Sequence, residues 1–412
     1  MRAKDIALLE DFQLERQGLP EVPEVETAAP ENESLPEFPR LPGPLGRLVD
    51  AITTDIAYDH KALAAVTYVG VALSGRIKIK TEPFLQSRFY ACSVGLAGTG
   101  KSAADKEIAR AVLPLMPHVN AEPSIDSGPA LVEILGEKPR TLYRPDELAD
   151  AFEKAKQTTS GRNSLFGEFL RLYESGETGR AVIERNGGRG KPVTDAHFAI
   201  CASATTDRFE RIWSGTSGAA SGLQSRFVLS FSEQTMPPIK SGNDEAMLAD
   251  AQADLSSILS REEVQYFGLS DEAQNEIIWW EMSVDRGKHT RVLDMAKRFA
   301  LIVAATCGES TVTGKTMKLG LQFADYQLAL YKKLMPDDAA TFVQAFENKI
   351  LRFYDKHPNS PERQCKKSIK PENCPGGFGP FSQAWRNLTH ADAIIRTGMT
   401  RSNTALWSRD SD

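Results

Sequence analysis

The chain has 412 residues, of which 41% are hydrophobic and 25% charged, with a formal net charge of -6. That length exceeds one ordinary hydrophobic core and points to two or three domains. No apolar run approaches the roughly 18–20 residues of a membrane helix, the N-terminus lacks an apolar segment with a cleavage site, and five scattered cysteines exclude a disulfide framework. The expected location is cytoplasmic, without a membrane partner.

Charge is unevenly spread. Residues 1–39 hold ten acidic and three basic side chains, whereas residues 350–412 hold ten basic and six acidic ones. An acidic total argues against a protein that coats nucleic acid with its whole surface, but it permits contact through one face or channel.

In chain order, residues 1–37 read as a flexible acidic, Pro-rich lead-in closing near the Pro39, Pro42, Gly43, Pro44 cluster. Residues 38–84 form a helical prefix, with Leu48, Val49, Ile52, Ile56, Leu63, Val66 and Val69 at helical spacing. Residues 85–240 carry apolar strands at 87–94, 141–143, 196–203 and 227–231, separated by helical stretches. Such alternation predicts an α/β core, a mainly parallel sheet flanked by helices. Residues 241–340 read as helical, and 262–334 as helical throughout. Residues 341–412 predict a small helical or winged-helix domain with a flexible tail.

The sharpest motif is Gly95-Leu96-Ala97-Gly98-Thr99-Gly100-Lys101-Ser102, which satisfies G-x-x-x-x-G-K-[ST] in full. It lies between an apolar strand and a helix, the context in which backbone N–H groups and a helix N-terminus cradle phosphates. In that chemistry Lys101 reaches the β- and γ-phosphates of ATP, and Ser102 ligates Mg²⁺. The same motif without ligand chemistry would be an ordinary strand-to-helix turn.

Asp146 and Glu147 follow a short apolar strand. Asp146 is the candidate for holding Mg²⁺ and Glu147 for activating the attacking water; a helix cap with a first-turn acid is the structural alternative. Ser203 and Thr205, after another strand, are both candidates for sensing the γ-phosphate. Arg226, just before the strand at 227–231, is placed where it can enter a neighbouring subunit's site as a catalytic arginine, the alternatives being a surface ion pair or a contact to nucleic acid, with Arg208 and Arg211 as weaker competitors. The basic, Gly-rich stretch 180–191, with Arg180, Arg185, Arg189 and Lys191, suits either a DNA-gripping loop or a solvated hairpin.

FPRLPGPLGRL at 38–48, the GLAGTGKS loop, LYRPDEL at 142–148, the helix at 166–173 followed by Glu174-Ser175-Gly176, and GLQSRF at 222–227 together resemble a family of phage, plasmid and prophage primase-helicase-like P-loop ATPases, the primase C-terminal type. The resemblance spans roughly residues 38–240 and continues more loosely. It implies a RecA-like or AAA+-like core and a homo-oligomeric ring, with a hexamer as candidate size. It also implies ATP hydrolysis coupled to movement on single-stranded or forked DNA. The roles it assigns are Lys101 and Ser102 at the phosphates, Asp146 on Mg²⁺, Glu147 as base and Arg226 as arginine finger. The primase domain of larger relatives is not expected here. Two other readings stay open: an ATPase switch acting on protein partners, and a non-catalytic DNA-binding module supported by nucleotide.

Overall fold

The computed structural model describes residues 35–80, 85–157, 165–174, 193, 195–214, 222–234, 242–284, 291–334, 342–373, 378–391, 393–399 and 404–409. The stretch 180–191 and its four basic residues lie outside them, as do nearly all of 1–37.

Rather than only closing a lead-in, the Pro-Gly-Pro cluster starts the first helix. Proline near the helix start is compatible with α1 (Gly43–Ala51), because the first N–H groups have no intrahelical partner. Helix α2 (Tyr58–Leu73) is apolar nearly all round, and 14 of its 16 residues are buried. It therefore runs inside the molecule, against the sheet.

Then follow β1 (Ile77–Ile79), β2 (Leu85–Gln86), β3 (Tyr90–Gly95), α3 (Lys101–Val112), β4 (Asn120–Glu122), α4 (Gly128–Glu137), β5 (Arg140–Tyr143), α5 (Leu148–Gln157), α6 (Leu165–Glu174), β6 (His197–Thr205), α7 (Thr206–Ser214) and β7 (Phe227–Ser232). The main sheet has the order β4-β5-β6-β3-β7, and every pairing in it is parallel. Its central strands β3 and β6 are continuous buried runs, as a sheet covered on both faces requires. One strand, β6, thus stands between the strand that leads into the phosphate-loop motif and the strand that leads to Asp146.

Beyond the sheet come α8 (Glu245–Leu259), β8 (Gln265–Leu269), α9 (Asp271–Ser283), α10 (Val292–Thr306), β9 (Thr311–Val312) and α11 (Gly314–Leu334). Residues 262–334 are thus not helical throughout. Strands β8 and β9 join β1 and β2 in a second sheet of order β2-β1-β8-β9. Tertiary pairing made these strands: in β8 only Phe267 is buried, and β9 is two residues long. Helix α11 also covers the edge of the main sheet. The Gln327 side chain accepts from Leu229 N at 2.7 Å and donates to Leu229 O at 2.8 Å, taking the place of a neighbouring strand.

The last elements are α12 (Phe342–Lys356), β10 (Ser360–Pro361), α13 (Glu362–Ile369), α14 (Phe378–His390), β11 (Ile394–Met399) and β12 (Ala405–Arg409). They share a hydrophobic cluster that includes Phe346, Tyr354, Cys365, Phe381, Trp385 and Ile394. Their antiparallel sheet has the order β10-β12-β11. Among the described residues, no helix is long and apolar enough to cross a membrane.

Candidate functional site

The motif at 95–102 turns from β3 into α3, as the sequence predicts. Gly100 sits at the helix N-cap with φ +81, a left-handed conformation that a side chain would strain. Gly95 is required for a different reason, since a Cβ there would lie 2.2 Å from the Ser232 carbonyl oxygen. The loop therefore grips the end of β7 closely while its tip stays at the surface, where Leu96 is 47% exposed.

Lys101 is buried beneath this loop. Its ammonium donates to Gly95 O at 3.0 Å, to Leu96 O at 2.6 Å and to Thr99 Oγ1 at 3.2 Å. Burial lowers its pKa, and the Glu147 carboxylate acts in the opposite direction. Below the loop, His60 Nδ1 shares a hydrogen bond with Ser230 Oγ at 2.8 Å, and Ser230 donates to Ser93 Oγ at 3.0 Å. Burial first, and then the Lys101 charge, push the His60 imidazole down to about 3.

Parallel pairing brings three strand ends together. Ser93 of β3 is in register with Ser203 of β6, and Ile200 of β6 with Tyr143 of β5. As a result Ser102 Oγ lies 3.3 Å from Ser203 Oγ, and Ser203 Oγ donates to the Asp146 carbonyl at 2.9 Å. Of the two hydroxyl candidates, Ser203 makes these contacts. Thr205 pairs with Gly95 at the strand's end. Ser102, Ser203 and Asp146 line one cleft of about 280 Å³, together with Asp105, Lys106 and Arg144.

Glu147 is half-buried beside this cluster. Burial raises its carboxyl pKa, while the Ala149 backbone N–H and the Arg208 and Lys101 charges act the other way. Its Oε1 is buried without a hydrogen-bond partner among the described residues. An acid that is desolvated, unsatisfied on one oxygen and close to a lysine is chemically suited to take a proton.

Two further residues, Asp105 and Arg144, escape motif reading. Asp105 lies one helical turn after Lys101 on α3, accepts from Tyr68 Oη at 2.7 Å, and pairs with Arg144 Nη2 at 2.5 Å. Arg144 N also donates to Glu122 O at 2.7 Å. The Arg144–Asp105 pair thus ties the helix bearing Ser102 to the turn bearing Asp146. The i, i+4 spacing from Lys101 is the signal that could have marked Asp105.

Arg226 is not brought to this cluster. Because β7 begins at Phe227 opposite Tyr90 and ends at Ser232 opposite Gly95, Arg226 sits at the other end of the sheet, roughly 20 Å from Ser232 by the rise of six strand residues. There it is 9% exposed, donates to Gly222 O at 2.6 Å, and lies over the Tyr173 ring at 5.5 Å. Of the two other arginine candidates, Arg208 is on the site's side, paired with Asp150 at 3.0 Å and felt electrostatically by Glu147, and the Arg211 side chain lies outside the described residues.

Magnesium carried by a triphosphate needs one or two protein oxygens, the remainder being phosphate and water. The exposed Ser102 hydroxyl and Asp146 carboxylate on one cleft fit that requirement. Among the described residues no group of three or more His, Cys, Asp or Glu side chains is gathered to hold a metal alone. No family model matches the chain, and no curated protein matches it.

Proposed function

We propose that this chain is a Mg²⁺-dependent ATPase with a RecA-like or AAA+-like core, whose hydrolysis drives movement on, or unwinding of, DNA in replication of the phage or plasmid type. The observation that carries the reading is the convergence of Ser102, Ser203 and Asp146 at one cleft, beside a half-buried Glu147. The interposed strand β6 supports it too, since it brings a polar strand tip between loop and acids. Lys101 would leave the Gly95 and Leu96 carbonyls to neutralise the β- and γ-phosphates. Ser102 and Asp146 would hold the magnesium, which would neutralise phosphate charge. Glu147 would accept a proton from water as it attacks the terminal phosphorus in line; one P–O bond forms as the bond to the ADP oxygen breaks. The DNA half of the reading rests on the family resemblance and on the basic C-terminal region, and assembly into a ring rests on the resemblance alone.

ATP turnover measured with and without single-stranded DNA tests both halves. DNA-stimulated turnover that disappears in Lys101→Ala supports them, whereas full activity in Lys101→Ala removes the site assignment. The second reading, a switch acting on protein partners, is favoured by the apolar face of α9, where Trp279 is 73% and Met282 82% exposed. Turnover that ignores DNA would favour it.

A further inference from the structure

The C-terminal elements run helix, short strand, helix, helix, strand, strand, and the short strand β10 pairs with β12, which also pairs with β11. We infer that the elements α12 to β12 form a winged helix that binds duplex DNA, with α14 entering the major groove and the paired strands β11 and β12 alongside it. This site lies outside the ATPase cleft; it deepens the DNA half of the proposed function, which the same basic C-terminal region supports, and it does not require that the chain hydrolyse ATP.

Helix α14 has two distinct faces. Phe381, Ala384, Trp385 and Leu388 are buried at helical spacing in the C-terminal cluster. That fixes the rotation of the helix and leaves Ser382, Gln383, Arg386, Asn387 and His390 exposed. The whole of α14 contains no aspartate or glutamate, although the chain as a whole has more acidic than basic residues. Its outward side chains are the types that hydrogen-bond base edges: arginine to guanine, and asparagine or glutamine to adenine.

They are also ordered relative to one another. Arg386 Nη2 donates to Gln383 Oε1 at 3.1 Å, Gln383 Nε2 donates to Asn387 Oδ1 at 2.8 Å, and Asn387 Nδ2 donates to Glu347 Oε1 at 2.6 Å. A helix with this face is of a size that the roughly 12 Å major groove admits.

The flanks carry the complementary charge for phosphates. Arg363, Lys367 and Lys370 are exposed on or just after α13, and Arg396 is exposed on β11. Nearby acids are largely engaged: Glu362 pairs with Lys366, Asp355 with Arg409, and Glu347 with Asn387, while Glu372 stands exposed between α13 and α14. Basic residues beside a base-reading face meet the two requirements of a duplex site, positioning on phosphates and reading of bases. They favour duplex DNA over single strands, whose capture relies on successive exposed aromatic platforms; on α14 Phe381 and Trp385 are buried and Phe378, at its first residue, is exposed.

The test is fluorescence anisotropy of the full chain, without nucleotide, against a labelled 25-base-pair mixed-sequence DNA duplex, the same single strand, and an RNA duplex. Because no ATP is present, failure of the ATPase reading does not affect this measurement. Duplex DNA should bind best. Arg386→Glu should weaken it at least tenfold, and Gln383→Ala, a substitution that favours helix, should weaken it several-fold with an unchanged melting temperature. Arg363→Glu with Lys367→Glu should weaken binding and lower the salt dependence by about one for each phosphate no longer neutralised. Duplex affinity within twofold of the parent in these variants overturns the inference. So does a preference for the single strand or for RNA.

Discussion

The Ser102 and Ser203 hydroxyls stand 3.3 Å apart, and the second also donates to the Asp146 carbonyl at 2.9 Å. One serine thus links the phosphate-loop helix to the turn that carries both acids. Ser203→Ala is expected to lower kcat about tenfold, equivalent to ~1.4 kcal/mol of barrier, and to cost about 1 kcal/mol of stability through the missing hydrogen bond. Thr205→Ala should do much less. Steady-state turnover and denaturant unfolding of the two variants check this; equal effects would remove the distinction between the two hydroxyls.

Glu147 has its carboxyl raised by burial above the usual 4.5. A base must be ionised to work, so turnover should fall as the pH drops through this raised value, and the acid limb of kcat/KM should lie above 4.5. Glu147→Gln should bind a labelled nucleotide yet lose turnover by about 100-fold or more, the scale of general-base catalysis. An acid limb that persists unchanged in residual Glu147→Gln activity would assign it to another group.

Arginines 226 and 208 should separate by readout. Arg226 is buried over Tyr173, so Arg226→Ala should destabilise the chain by about 1–3 kcal/mol. The Arg208–Asp150 pair is exposed, so Arg208→Ala should change stability by less than about 1 kcal/mol while slowing turnover through loss of a charge beside Glu147. Thermal melts and turnover on the same preparations decide. If Arg226→Ala keeps its melting temperature and loses only turnover, the packing role fails and the trans-acting role gains.

His60 is held neutral in the fold, with its imidazole pushed down to about 3 from 6.5. Between these values the unfolded chain binds a proton that the folded chain does not. The His60 contribution is therefore intact above pH 6.5 and is lost as the pH falls toward 3, with a slope approaching 1.4 kcal/mol per pH unit. His60→Gln cannot take up that proton, so its unfolding free energy should decline less steeply over the same range. Parallel slopes in urea titrations would refute the assignment.

The core strands were legible because each is an apolar run ended by glycine or polar residues, and a buried parallel strand needs nothing else. Two of the strands that went unread have no such signature. β4 is Asn120–Glu122, half-buried at the sheet's edge, and β9 is two residues long. Their backbone pairs because distant segments arrive beside them. Within the site, the phosphate-loop motif was legible from its glycines and lysine. The contacts of Ser203 with Ser102 and Asp146, the Asp105–Arg144 tie and the remoteness of Arg226 were not.

The sequence by itself determined the local chemistry: a loop whose glycines and lysine suit phosphate, an acid pair after a strand, and the apolar runs that make a parallel sheet. Those depend on residue types within a few positions of one another. Only the tertiary structure decided which of these groups meet. Strand order and register align Ser203 with Ser93 and stop β5 next to β6, so that a serine about a hundred residues from Ser102 becomes its neighbour. The same register carries Arg226 to the opposite end of the sheet. Pairing between distant segments is set by burial of whole faces, and no single window of sequence contains it.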